Sequence, residues 1–198
     1  MSDTRNRILD VALEVLGQNP DAGMSEVASA AGVVRRTVYG HFPARADLVR
    51  SLAQRAVDEI AVVLADVDAA GAPADVVWID FIDRLWPVTR RYRVLLALRR
   101  GEFGDEIHAI LALVDTKLAD LVQRGQDAQV FARHLPAGLL SQIALTTVFT
   151  IADNALSNRT LDMRAATMTS LLMLGVPAAR ANDILNDRRD VRPGPPVD

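Results

Sequence analysis

Residues 23–42, Gly-Met-Ser-Glu-Val-Ala-Ser-Ala-Ala-Gly-Val-Val-Arg-Arg-Thr-Val-Tyr-Gly-His-Phe, read as two short helices pinched at a glycine. Met24, Val27, Ala28 and Ala31 recur at the spacing of one helix face, which predicts about two turns with a single apolar side. Gly32 supplies the left-handed backbone that ends a helix and opens a sharp turn. Val33 is placed to plug that turn into the core. From Val34 a second helix can run to about Gly40, with Val38 and Phe42 facing inward. Arg35, Arg36, Thr37 and Tyr39 then cover the outer sides. An arginine fork can grip guanine O6 and N7 or hold a phosphate, and Thr37, Tyr39 and His41 suit backbone phosphates. A helix so equipped fits the major groove of DNA. An isolated Arg-Arg pair would be no more than a solvated helix face; the Ala-Ala-Gly-Val before it and the Tyr-Gly-His-Phe after it favour the groove.

Outward from this segment the pattern stays helical. Ile8, Leu9, Ala12, Leu13 and Leu16 form one stripe, for a first helix that ends before Asn19-Pro20. Leu48, Leu52, Ala56, Ile60, Val63 and Val67 predict a long helix from about Ala44 to Asp68, a strut of roughly 35 Å at 1.5 Å per residue. Gly71-Ala72-Pro73 breaks it. A helix from Ala74 carries Val77, Phe81 and Leu85, and Pro87 is expected to kink or end it. Further helices are expected at 88–100, 104–124, 137–156 and 162–175, with a short one near 178–187. The tail from Arg188, with Pro193, Pro195 and Pro196, is expected to be disordered. No strand pattern, internal repeat or glycine-rich phosphate loop stands out. The fold class is therefore all-α.

Thr4-Arg5-Asn6-Arg7-Ile8-Leu9-Asp10-Val11-Ala12, then Ser25 to Phe42, then Pro43-Ala44-Arg45-Ala46-Asp47-Leu48 resemble the N-terminal domain of a TetR-family transcriptional regulator. The resemblance is close over residues 4–52; beyond them only length and helical composition match. It implies a three-helix helix-turn-helix head at residues 1–50, joined by a long helix to a helical effector-binding and dimerisation domain at 51–187. It implies that the helix at 34–40 reads the groove and that Tyr39-Gly40-His41-Phe42 closes it. Arg45 and Thr4 match positions that usually meet phosphates. Two positions depart from the family pattern. Val34 stands where a hydroxyl commonly caps the reading helix, and near Gly23, where a hydroxyl is also common, only glycine remains.

Composition agrees. At 198 residues with half of them apolar, the chain can bury a sizeable core. It has no cysteine, hence no disulfide framework and no cysteine-based metal site. His41, His108 and His134 are too scattered for a metal cluster. Asp3, Asp10 and Glu14 interrupt any signal-peptide pattern, and the apolar run from Ala137 to Ala152 contains too many polar residues for a membrane span. A cytoplasmic protein is expected, with neither cofactor nor metal. The formal charge is −3, but residues 1–55 hold seven arginines against six acids, so the negative balance lies in the remainder. Charge near the docking face matters most, because exposed charges are screened within about 8 Å.

Three constellations in the larger domain invite roles. Trp78, Phe81, Trp86, Tyr92 and Phe103 cluster in sequence; rings at helical spacing commonly fill a core, while the resemblance makes them, together with Phe149, candidates to line an effector pocket. Arg90, Arg91, Arg93, Arg99 and Arg100 read by default as a solvated, salt-bridged face. The helices at 137–156 and 162–175 are apolar nearly all round and must be buried on most sides. A homodimer contact satisfies that, with Leu140, Ile143, Thr147, Leu171 and Leu172 as the expected interface. No serine or histidine sits in a nucleophile motif and no acids pair at a catalytic spacing, so an enzyme is not expected. The sequence thus points to a ligand-responsive repressor. It would bind a palindromic double-stranded DNA operator as a dimer and be released by a small, mostly apolar effector. The alternative is a helical ligand-binding or protein-interaction module that no longer binds DNA.

Overall fold

The computed structural model describes residues 2–68, 71–99, 103–154 and 161–191, and among them every element is helical. Helix α1 (Ser2–Gln18) stops where Asn19-Pro20 is reached, and α2 (Met24–Ala30) follows. Gly23 has no side chain to cap α2; instead the Glu26 carboxylate accepts from the Gly23 N–H at 2.8 Å. The end of α2 is a Schellman turn. Gly32 has φ +64°, its N–H reaches the Ser29 carbonyl, and the Val33 N–H reaches the Ala28 carbonyl. Helix α3 (Arg35–His41) starts after Val34, and α4 (Arg45–Asp68) starts with the Ala44 N–H held by Asp47 Oδ2 at 2.9 Å.

Then come α5 (Ala74–Arg91), α6 (Arg93–Arg99), α7 (Gly104–Asp127), α8 (Ala137–Asn154), α9 (Met163–Met173) and α10 (Ala178–Val191). Asp162 caps α9 by accepting from the Ala165 N–H at 2.8 Å. A second Schellman turn closes that helix at Gly175, φ +84°, where a Cβ would stand 2.3 Å from the Ala132 methyl.

The chain packs as two compact units. The first holds residues 1–62 and 87–114. Its core joins Ile8, Leu9, Ala12 and Leu16 of α1, Val27 and Ala28 of α2, Val38 and Phe42, and Leu48, Val49 and Leu52 of α4 to Tyr92, Leu95, Leu98 and Phe103. The second holds residues 63–86 and 115–198. There Trp78, Phe81, Ile82, Leu85, Leu118, Val122, Leu140, Val148, Leu171 and Leu174 are buried. The Trp78 indole donates to Ser170 Oγ at 2.9 Å, and that hydroxyl donates in turn to the Thr167 carbonyl. Asp75, fully buried at the start of α5, accepts from Arg180 at 2.6 Å.

Three sequence expectations change. Packing divides the chain elsewhere than at residue 50, because the first unit keeps α4 as far as Val62 and takes in 87–114. Helix α5 keeps Pro87 inside it and runs on to Arg91, so of the two expected outcomes, a kink or an end, the end does not occur. The proline sacrifices one backbone hydrogen bond, yet buried Leu85 before it and Thr89 after it hold both sides in register. Helix α10 continues through Arg188 to Val191, where a tail was expected to begin. The Arg188 guanidinium is tied to Asp80 at 2.5 Å, and Arg164 holds the Leu185 carbonyl, so the last turns have partners. Arg100 and the prolines at 193, 195 and 196 lie outside the described residues.

Candidate nucleic-acid interface

The exposed side of α3 is built by what its other side buries. Val38 is fully buried and Phe42 nearly so, which fixes the rotation of the helix. Arg35, Arg36 and Tyr39 are thereby turned to solvent, with Thr37 and His41 half-buried at the flanks. The Arg35 guanidinium sits 6.0 Å from the Tyr39 ring centre, at the edge of cation–π range, so the two side chains brace one another. Gly40 is exposed, and a Cβ built there would meet nothing within 4 Å. Val34 precedes the helix in an extended conformation, φ −74° and ψ 150°, and makes no side-chain cap.

Thr4 lies half-buried on α1. Its neighbour Arg5 donates to Ser51 Oγ at 3.0 Å and covers the Phe42 ring at 5.0 Å, tying the start of α1 to α4 and to the end of the helix-turn-helix. Arg45 is more deeply committed than the sequence implied. Its guanidinium donates to the carbonyls of Pro20 and Ala22 and lies over the Phe103 ring at 5.2 Å. It is a clamp on the α1–α2 turn, whatever else it touches.

A charged clasp in the same unit escaped sequence reading. Arg55 donates to Asp10 at 2.7 Å, Arg91 reaches Glu59 at 3.1 Å, and the Tyr92 hydroxyl donates to Glu59 at 2.6 Å. Burial and that hydrogen bond to a carboxylate push the Tyr92 phenol up to about 12. The Arg55–Glu59 spacing of four was the available signal; nothing local announced Asp10 or Tyr92 as partners. Arg90, Arg91 and Arg93 also wall a recess of about 330 Å³ with Asp10, Leu13 and Glu14.

The six proposed pocket aromatics divide between the units. Tyr92 and Phe103 belong to the core of the first. Trp78 and Phe81 are fully buried in the second with ring centres 6.1 Å apart, while Trp86 and Phe149 there are half-buried. A cavity of about 300 Å³ in the second unit is lined by other residues, among them Ile79, Met163, Arg164, Thr167, Leu185 and Arg188. The expected dimer surface needs correction. Leu140 and Leu171 are 1 % and 0 % exposed within the chain itself, so they are core residues that a partner cannot reach. Ile143 and Thr147 are half-buried, and the exposed apolar side chains of α8 and α9 are Leu139, Leu172 and Met173. Among the described residues no helix is long and apolar enough to cross a membrane.

Residues 8–52 match the profile of the bacterial regulatory proteins of the tetR family. The HTH-type transcriptional repressor LfrR of Mycolicibacterium smegmatis is 40% identical over 72 residues, covering 36% of this chain and 38% of the repressor. The match thus spans well under half of that relative's length. Among solved structures, LfrR from Mycobacterium smegmatis in complex with proflavine superposes with a TM-score of 0.69 at 22% identity, over 87% of this chain and 94% of that one. FadR from Bacillus subtilis in complex with stearoyl-CoA gives 0.72 at 21% identity, over 85% and 96%. At those identities the likeness establishes the fold, an all-helical one with a helix-turn-helix at its start.

Proposed function

We propose, from the match of residues 8–52 to the bacterial regulatory proteins of the tetR family, that this chain is a transcriptional repressor that binds a palindromic DNA operator as a homodimer and is released by a small, mostly apolar effector. The observation that carries the reading is the solvent-facing Arg35–Arg36 pair on a helix whose opposite side is locked into the core by Val38 and Phe42. Thr37 and Tyr39 complete the reading helix, and His41, Thr4 and Arg45 position the phosphate backbone. The second unit supplies the dimer contact through the outer sides of α8 and α9. Solved structures of this fold hold proflavine, a planar cationic aromatic, and stearoyl-CoA, a long acyl chain on an anionic nucleotide, which supports a small-molecule effector with an apolar part; Trp86 and Phe149, half-buried in the second unit, are the residues proposed to shape its site.

An operator selected from a random duplex library with the full chain provides the test. Arg36→Ala is expected to cost about 1–3 kcal/mol of binding and to relax preference at one position in each half-site. A folded Arg35→Ala/Arg36→Ala variant that bound the selected operator as tightly as the parent would overturn the assignment of α3 and leave a helical module without DNA reading.

A further inference from the structure

We infer that Val34 is a base-reading residue that detects the C5-methyl group of thymine, an inference that rests on the operator-binding reading above. At 69 % exposure Val34 leads the exposed large apolar side chains of the described residues. It stands next to Arg35 in an extended backbone conformation and neither caps α3 nor packs on the core. A serine, threonine or aspartate there could offer its side-chain oxygen to the first N–H groups of the helix, so within the isolated fold valine is the poorer choice. The fold gives this isopropyl group no work.

A groove does. The first residues of a reading helix are the ones brought to base edges. Valine has no donor or acceptor, so it can neither hold a phosphate nor pair with an amino, carbonyl or ring nitrogen of a base. The one apolar feature that base pairs present in the major groove is the thymine methyl. Successive Cα atoms lie about 3.8 Å apart and successive base pairs about 3.4 Å, so the thymine falls within one or two steps of the base met by Arg35 or Arg36. The arginines would then read hydrogen-bonding edges while Val34 reads shape and apolarity beside them.

Replacing each operator thymine in turn by deoxyuridine removes the methyl and leaves every hydrogen bond in place. With the full chain and the library-selected operator, one thymine per half-site is expected where this change weakens binding about fourfold, the worth of one buried methyl. Changing both half-sites should then weaken binding about fifteenfold. A Val34→Ser variant should bind thymine and uracil operators alike, keep its preference at the arginine-read positions, and melt no lower than the parent because serine restores the cap. If deoxyuridine is tolerated everywhere while Arg35→Ala/Arg36→Ala still abolishes binding, Val34 reads nothing and the operator reading survives. Val34 is equally excluded as the reader if the uracil penalty persists undiminished in Val34→Ser. A chain that selects no sequence at all fails at the operator reading itself and takes this inference with it.

Discussion

At the scale of single residues, the clearest cost in the reading helix is Gly40. A glycine in a helix is about 0.5–1 kcal/mol less favourable than alanine. Nothing in the fold demands it here, since an added Cβ would meet no atom within 4 Å. The open space is on an exposed side of the proposed docking helix, where a missing side chain lets a phosphate backbone come close. Gly40→Ala should therefore raise the melting temperature by a few degrees while weakening operator binding; a variant that is both more stable and equally tight-binding would show that the gap serves no partner. Such residues differ in how legible they were. Gly32 and the outward arginines could be read directly, because a left-handed turn and a 3.6-residue period are local properties. Arg45 could not. Its partners are backbone carbonyls at Pro20 and Ala22 and a ring at Phe103, and carbonyls carry no sequence signature.

At the scale of helices, starts and stops were largely written in the chain, because caps, glycines and apolar stripes act over one or two turns. The exceptions are α5, which continues through Pro87, and α10, which runs on to Val191 where the Arg188 guanidinium meets Asp80; both lengths depend on distant packing rather than on a local signal. The same limit applies to α8 and α9. Their apolar composition correctly called for burial on most sides, but composition does not say which leucines a chain buries for itself. Leu171 is consumed by the core, whereas its neighbour Leu172 is 46 % exposed beside Met173. That contrast separates folding from assembly. Leu172→Arg, paired with Leu139→Glu, is expected to give a soluble protein with unchanged helical circular dichroism that sediments as a monomer. Leu171→Arg should instead unfold the second unit, because it buries an unpaired charge, one of the recognised causes of severe destabilisation. A parent chain that is already monomeric at micromolar concentration would remove α8 and α9 from the interface.

At the scale of the whole molecule, the connections between the two compact units are helices. Helix α4 passes from the first unit to the second after Val62, α5 returns after Trp86, and α7 crosses again after Val114. A helix transmits displacement because breaking its backbone hydrogen bonds is unfavourable, whereas a loop would absorb it. The effector proposed for the second unit would bias the reading helix only to the extent that these three crossings stay rigid; a usual coupling of 1–3 kcal/mol corresponds to about a 5–150-fold change in operator affinity. Rigidity of this kind has a signature that needs no effector. The parent chain should melt in one calorimetric transition, with calorimetric and van't Hoff enthalpies in agreement. Val62 is 60 % exposed and Ala65 is exposed as well, so glycine at both weakens α4 beside its crossing with little loss of packing. The Val62→Gly/Ala65→Gly variant is expected to broaden or split the transition while each unit keeps its helical content. Should the parent itself melt in two independent steps, the crossings carry no mechanical coupling, and release from DNA has to proceed through the dimer contact instead.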